Sequence, residues 1–213
     1  MPTKVKICGL KTEPALEAAL EGGADYVGLV FFPPSPRYLS PPRAAAIAAK
    51  ARGRAKVVAL LVDPDDALIA DVMAAAAPDM LQLHGEETPE RVAEIRCRWG
   101  IPVMKAVAVE TADDARAGLR FSSAADLILF DARAPEESSR PGGNGAPFDW
   151  RLLVGVTGAA PFVLSGGLTP DNVAEAIRIT GAAIVDVSSG VESRPGEKDP
   201  ELIRRFLGAA KGA

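Results

Sequence analysis

Ala183-Ile184-Val185-Asp186-Val187 is a short apolar run interrupted by one acid, and Ser188-Ser189-Gly190 follows it at once. Branched side chains bounded by a small polar turn read as a strand buried on both faces of a parallel sheet. Seven runs of the same kind precede it, at 5–8, 26–32, 57–62, 80–83, 103–109, 127–130 and 162–164. Ala-rich stretches with helical spacing separate them. Within 90–99, Val92, Ile95 and Trp99 fall on one face at i, i+3 and i+7, and from Glu201 onward Leu202, Ile203, Phe206 and Leu207 do likewise. Ser40-Pro41, Thr88-Pro89, Thr169-Pro170 and Asp199-Pro200 read as helix starts. There a side-chain oxygen meets an orphan N–H, and proline at the next position costs no helical hydrogen bond. Strand and helix alternating eight times predict parallel pairing with right-handed crossovers. The count of eight, and the lack of an early Gly-x-Gly-x-x-Gly turn, favour closure over an open doubly wound sheet. The predicted class is α/β, a single-domain (β/α)8 TIM barrel over residues 1–213.

Composition agrees and removes other classes. A chain of 213 residues lies near the lower limit of this barrel, and 48% hydrophobic residues supply a large core. A net charge of -4 without a clustered basic face argues against nucleic acid as a partner. No apolar run approaches the roughly 20 residues of a membrane span. The chain runs almost directly into its first strand with no leader pattern, giving the expectation of a cytoplasmic protein. Cys8 and Cys97 lie far apart in elements of different type, so no disulfide is expected. One histidine, His84, leaves little material for a metal site, and none is expected.

Functional residues of such a barrel lie at the C-terminal ends of its strands and in the loops beyond. The clearest signal comes from Gly166-Gly167 after the seventh run and Ser188, Ser189 and Gly190 after the eighth. Close backbone N–H groups and hydroxyls in these two turns suit a phosphate. Cys8 ends the first run and reads equally as a thiol base or as a small buried apolar residue. Lys6 is placed on the other face of that strand, away from the thiol. Cys97 falls off its helix's apolar stripe and is structural or incidental.

Asp131 ends the sixth run, where partial desolvation would raise its pKa and suit a general acid; the alternative is a loop-bracing aspartate. Arg37 sits in the proline-stiffened Ser35-Pro36-Arg37 loop. Its fork suits a carboxylate, although position alone favours a solvated surface arginine. His84 is a mouth contact or a structural histidine, with the structural reading preferred. Asp186, at a strand end read as poor in basic residues, contacts a substrate or orients Ser188. The polar stretch 134–147 after the sixth run reads as an active-site loop.

Lys4-Val5-Lys6-Ile7-Cys8-Gly9-Leu10 resembles the opening of the phosphoribosylanthranilate isomerase family of tryptophan biosynthesis. Residues 32–38, Leu81-Gln82-Leu83-His84-Gly85, Leu164-Ser165-Gly166-Gly167-Leu168 and the stretch from Asp186 to Glu192 fit the same family in the same order. The resemblance covers essentially the whole chain. It implies a (β/α)8 barrel that converts N-(5-phosphoribosyl)anthranilate to 1-(2-carboxyphenylamino)-1-deoxyribulose 5-phosphate without a cofactor. It also implies Cys8 as general base, Asp131 as general acid and Arg37 as the residue that engages the anthranilate carboxylate. The phosphate cradle would be Gly166, Gly167, Ser188, Ser189 and Gly190, with Asp186 beside it and His84 as a further substrate contact. Gly142-Gly143-Asn144-Gly145, followed by Phe148-Asp149-Trp150, resembles the family's loop after the sixth strand. The family often has Thr or Ser at the position of Asn144, which puts a hydroxyl contact there in question.

The neighbouring indole-glycerol phosphate synthases would bring catalytic lysine and glutamate at several strand ends. Lys105 lies in the fifth run, but no matching set accompanies it. Histidine-pathway isomerases usually carry Asp where this chain has Cys8. The reading from a different class is a non-catalytic phosphosugar-binding barrel. The expected partner is a small phosphorylated substrate, with the protein a monomer or a homodimer.

Overall fold

Closure is the feature the strand count calls for, and the computed structural model, which describes residues 2–133, 148–155 and 162–213, has it. In chain order the elements are β1 (Lys4–Cys8), α1 (Glu13–Glu21), β2 (Tyr26–Val30), α2 (Pro41–Ala51), β3 (Lys56–Leu61), α3 (Asp66–Ala76), β4 (Met80–Leu83), α4 (Pro89–Trp99), β5 (Val103–Val109), α5 (Ala112–Gly118), β6 (Leu127–Ala132), β7 (Phe162–Leu164), α6 (Val173–Thr180) and β8 (Ile184–Val187). A hairpin of β9 (Glu192–Arg194) and β10 (Glu197–Lys198) then leads into α7 (Pro200–Lys211). β1 to β8 hydrogen-bond in sequence, all parallel, and β8 pairs back onto β1 with Asp186 beside Lys6.

Register is pinned at the N-terminal end of the barrel by one recurring device. Asp25, Asp79 and Asp126, each just before an even-numbered strand, accept hydrogen bonds from the N–H groups of Val5, Val57 and Val103 at 2.9, 2.7 and 2.9 Å. A charged acceptor on a backbone donor is among the stronger hydrogen bonds, contributing about 1.5–3 kcal/mol. A one-residue slip of any pair would break it and turn the apolar set outward.

Side chains of each strand alternate between the barrel interior and the helix layer. The interior holds Tyr26, Val58, Met80, Met104, Ala106, Leu127, Leu129, Val163 and Ile184 as one cluster. Stepping two residues toward the C-terminal ends changes this apolar floor into a polar mouth. Met80 gives way to Gln82, Leu129 to Asp131, Val163 to Ser165 and Ile184 to Asp186, all four of these polar residues buried. The opposite faces pack under the helices, where Ile7, Val27, Leu81, Phe130, Val185 and Phe206 are among the buried side chains. Truncating such a residue, as in Phe206→Ala, costs about 3–5 kcal/mol.

Two expectations need correction, and one element was not anticipated. The helix after Thr169-Pro170 starts later, at Val173: Asn172 Oδ1 accepts from Thr169 N–H at 2.7 Å, folding 169–172 into a turn first. Strand and helix do not alternate eight times among the described residues, which hold seven α-helices; between β6 and β7 they contain only a short 3-10 turn, Trp150–Leu153, started by Asp149. The hairpin was not foreseen, although Pro195-Gly196 advertises it. Gly196 has φ +82°, which a type II turn requires after proline.

Candidate active site

β1 brings Lys6 and Cys8 to the mouth together. The expectation that they face opposite ways is wrong, because residues two apart on a strand share a face. Both point inward across Gly28 of β2, Cys8's register partner. A Cβ on Gly28 would lie 2.9 Å from Cys8 Sγ and 3.2 Å from Lys6 Nζ, so glycine is what leaves room for the thiol and the ammonium side by side. Lys6 is fully buried and donates to Asp186 Oδ1 at 2.8 Å. Burial alone would lower the lysine's pKa, but the Asp186 carboxylate, and after it Cys8, outweigh that and hold it at about 12. Burial pushes the Cys8 thiol up; Lys6 pulls against this, while Asp186 adds to it.

Asp186 therefore sits on a basic strand end and not a basic-poor one. Nor does it orient Ser188. It accepts from Lys6 and, at 3.3 Å, from Ser165 Oγ, while Ser188 Oγ donates to the carbonyl of Cys8 at 3.2 Å. Arg37 is likewise no solvated surface arginine: it is 5% exposed. Its Nε and Nη2 donate to Glu192 Oε1 and Oε2 at 2.7 and 2.9 Å. Glu192 receives Lys198 as well, at 2.5 Å. Burial disfavours the Glu192 charge, but Arg37 and Lys198 overcome it and bring its pKa down to about 2.

Across the mouth, Asp131 ends the inward face of β6 and is 6% exposed. Its Oδ1 accepts the N–H of Ala132 at 2.9 Å, and its Oδ2 faces His84 Nε2 at 3.4 Å. Gln82 Nε2 lies 3.0 Å from His84 Nδ1. With the amide donating there, the ring proton sits on Nε2, aimed at the carboxyl. His84 thus belongs to the mouth and touches the proposed acid, against the structural reading preferred for it. Lys105 alternates outward, beneath the helices, where it pairs with Glu87 at 2.9 Å and takes no part in the mouth. Cys97 is exposed on α4, and both cysteines are free.

The turns after β7 and β8 are built for close approach. Gly166 and Gly167 have φ of +85° and +65°, and a Cβ on Gly190 would strike the Leu168 carbonyl oxygen at 1.9 Å. The N–H groups of Gly166 and Gly167 donate to no other described residue. Trp150 Nε1 reaches the Gly166 carbonyl at 3.5 Å, tying the segment after β6 to this turn. The stretch 134–147, including Asn144, lies outside the described residues. Residues that sequence reasoning missed are Glu192 as the partner of Arg37, Lys198 as the second cation on Glu192, and Lys6 as neighbour of the thiol. Among the described residues, no helix is long and apolar enough to cross a membrane.

Residues 5–209 match the family model for N-(5'phosphoribosyl)anthranilate (PRA) isomerase. The N-(5'-phosphoribosyl)anthranilate isomerase of Rhodopseudomonas palustris (strain HaA2) is 57% identical over 213 residues, all of this chain and 98% of the relative. The crystal structure of the Thermotoga maritima phosphoribosyl anthranilate isomerase superposes with a TM-score of 0.89 at 38% identity, covering 99% of this chain and 100% of that one. A phosphoribosyl anthranilate isomerase in complex with reduced 1-(o-carboxyphenylamino)-1-deoxyribulose 5-phosphate gives a TM-score of 0.86 at 37% identity, with the same coverage.

Proposed function

This chain belongs to the N-(5'phosphoribosyl)anthranilate (PRA) isomerase family, and we propose on that premise that Cys8 is its general base and Asp131 its general acid. The function is phosphoribosylanthranilate isomerisation in tryptophan biosynthesis: an Amadori rearrangement of a phosphorylated aminoaldose to its aminoketose. No electrons leave the substrate, so no redox cofactor is needed. Asp131 protonates the ribose ring oxygen, and the ring opens to a Schiff base. Cys8, as thiolate, removes the C2′ proton, and the enolamine tautomerises to the ketone.

One observation carries the assignment. Cys8 and Asp131 end the inward faces of β1 and β6, with β7 and β8 between them. A phosphate seated on Gly166, Gly167, Ser188, Ser189 and Gly190 therefore hangs a ribose between thiol and carboxyl. Arg37 reads the anthranilate carboxylate, and Asp186 and His84 flank the sugar. We also read residues 1–213 as one domain of a cytoplasmic enzyme. A non-catalytic barrel would not need an inward thiol and an inward carboxyl on these two strands.

The chemistry needs Cys8 deprotonated while Asp131 is protonated, against the ordinary order of their pKa values. The expected kcat/KM is bell-shaped in pH, with two limbs that belong to the pair. A kcat/KM that keeps rising with pH through the thiol's range, with no alkaline limb, would contradict the assignment. Fluorescence decay of the substrate supplies the assay.

A further inference from the structure

The β9–β10 hairpin stands outside the barrel, and its inner ends send two charged side chains into the mouth. The Glu192 carboxylate is saturated there. Oε1 accepts from Arg37 Nε at 2.7 Å and from Lys198 Nζ at 2.5 Å; Oε2 accepts from Arg37 Nη2 at 2.9 Å and from Gly196 N–H at 3.1 Å. Lys198 Nζ also donates to the Ser188 carbonyl at 3.1 Å and to Ser188 Oγ at 3.2 Å. Side-chain exposure is 6% for Arg37, 4% for Glu192 and 2% for Lys198. The hairpin tip also packs on the arginine's loop, where a Cβ on Gly196 would meet the Pro36 carbonyl oxygen at 2.6 Å.

Burying an ammonium is costly, and an apolar side chain would brace a hairpin more cheaply. What the ammonium adds is direction: one group touches both the carboxylate that sets Arg37 and the turn that follows β8. We propose that Lys198 is a positioning residue that locks the carboxylate-reading Arg37 and the phosphate-reading Ser188 turn at one separation. The two anionic ends of the substrate are then read by one connected body. This rests on the reading of Arg37 and the Ser188 turn given above.

The groups facing Lys198 are Glu192 on β9, Arg37 from the loop after β2 and Cys8 on β1. Burial pulls its pKa down to about 8, with Glu192 opposing. The brace thus loses its charge in mildly alkaline solution.

The test is calorimetric binding of the reduced product analogue, 1-(o-carboxyphenylamino)-1-deoxyribulose 5-phosphate in its reduced form. Lys198→Met should weaken Kd by about tenfold or more, the scale of one charge-assisted contact. Lys198→Arg should recover most of the loss, and kcat should fall much less than KM rises. In a Cys8→Ser background, which removes the thiol's titration, Kd should weaken about tenfold from pH 7 to 9. That loss should vanish in Cys8→Ser/Lys198→Met. Binding by Lys198→Met within twofold of the wild type overturns the proposal. So does an alkaline loss that survives in the double variant. Should Lys198→Met fail to fold, the Cys8→Ser titration decides alone, and a flat Kd from pH 7 to 9.5 overturns it. Arg37→Ala separates the two readings. If it binds the analogue normally, the carboxylate reading falls; if it binds weakly while Lys198→Met is normal, only the present proposal falls.

Discussion

The two sides of the barrel mouth handle charge in opposite ways. On the thiol side, Lys6 faces Asp186, and Arg37 and Lys198 share Glu192, all but sealed from solvent. On the carboxyl side, Asp131 meets a backbone N–H and the ring of His84 and, among the described residues, no lysine or arginine within 4.0 Å. The contrast fits the roles proposed for the two groups. A thiolate formed in a desolvated pocket needs positive charge nearby, and Lys6 and Lys198 both draw the thiol's pKa down against its burial. A general acid must keep its proton until it is used, and an adjacent cation would favour its ionised form. On the proposed assignment, the described residues place lysine and arginine on the side of the base and none within 4.0 Å of the acid.

The largest effect expected on this comparison comes from the carboxyl side. Asp131→Asn keeps the shape and removes the proton donor, and should lower kcat by at least about 100-fold, the low end for losing a general acid. Substrate fluorescence decay measures it, and a variant within tenfold of the wild type would leave the carboxyl side without a catalytic role.

Next comes the buried pair under the thiol. Lys6→Met leaves Asp186 buried and uncompensated and should destabilise the fold by about 3–5 kcal/mol in denaturant unfolding. Lys6→Met/Asp186→Asn should recover part of that stability, because no bare charge remains. If the double variant is no more stable than the single one, the pair is not balanced as described.

Much of this was legible in the chain. Eight short branched runs pointed to the barrel, with every strand end within two residues of the one seen; the run at β2 overshoots by Phe31 and Phe32, and that at β6 falls short by Asp131 and Ala132. Gly166-Gly167 and Ser188-Ser189-Gly190 were legible for the same reason: turns after known strand ends have known places. The charge network was not. Arg37 meets Glu192 155 residues later and Lys6 meets Asp186 180 residues later, and no local pattern announces pairs so distant. Arg37 looked solvated because its loop is polar and proline-rich; what buries it is a hairpin from the far end of the chain. Lys6 is a different case. Its facing followed from the two-residue period of a strand and was misread, not hidden.

The smallest expected effect concerns Glu192 in acid. Its pKa in the fold, about 2, lies below the ordinary 4.5. The stability it contributes is therefore present above pH 4.5 and is lost as pH falls from there toward 2. Tm measured from pH 6 to 3 should fall more steeply for the wild type than for Glu192→Gln. Parallel curves would mean that the carboxylate is not held by Arg37 and Lys198.

The central claim is that the inward thiol of β1 is a base and not a core filler. Turnover and calorimetric binding of the reduced product analogue, measured side by side for the wild type and Cys8→Ser, test it most directly. The account predicts that Cys8→Ser folds, binds the analogue within a few-fold of the wild type, and loses at least about 100-fold in kcat. A Cys8→Ser variant that turns over at close to the wild-type rate would contradict it.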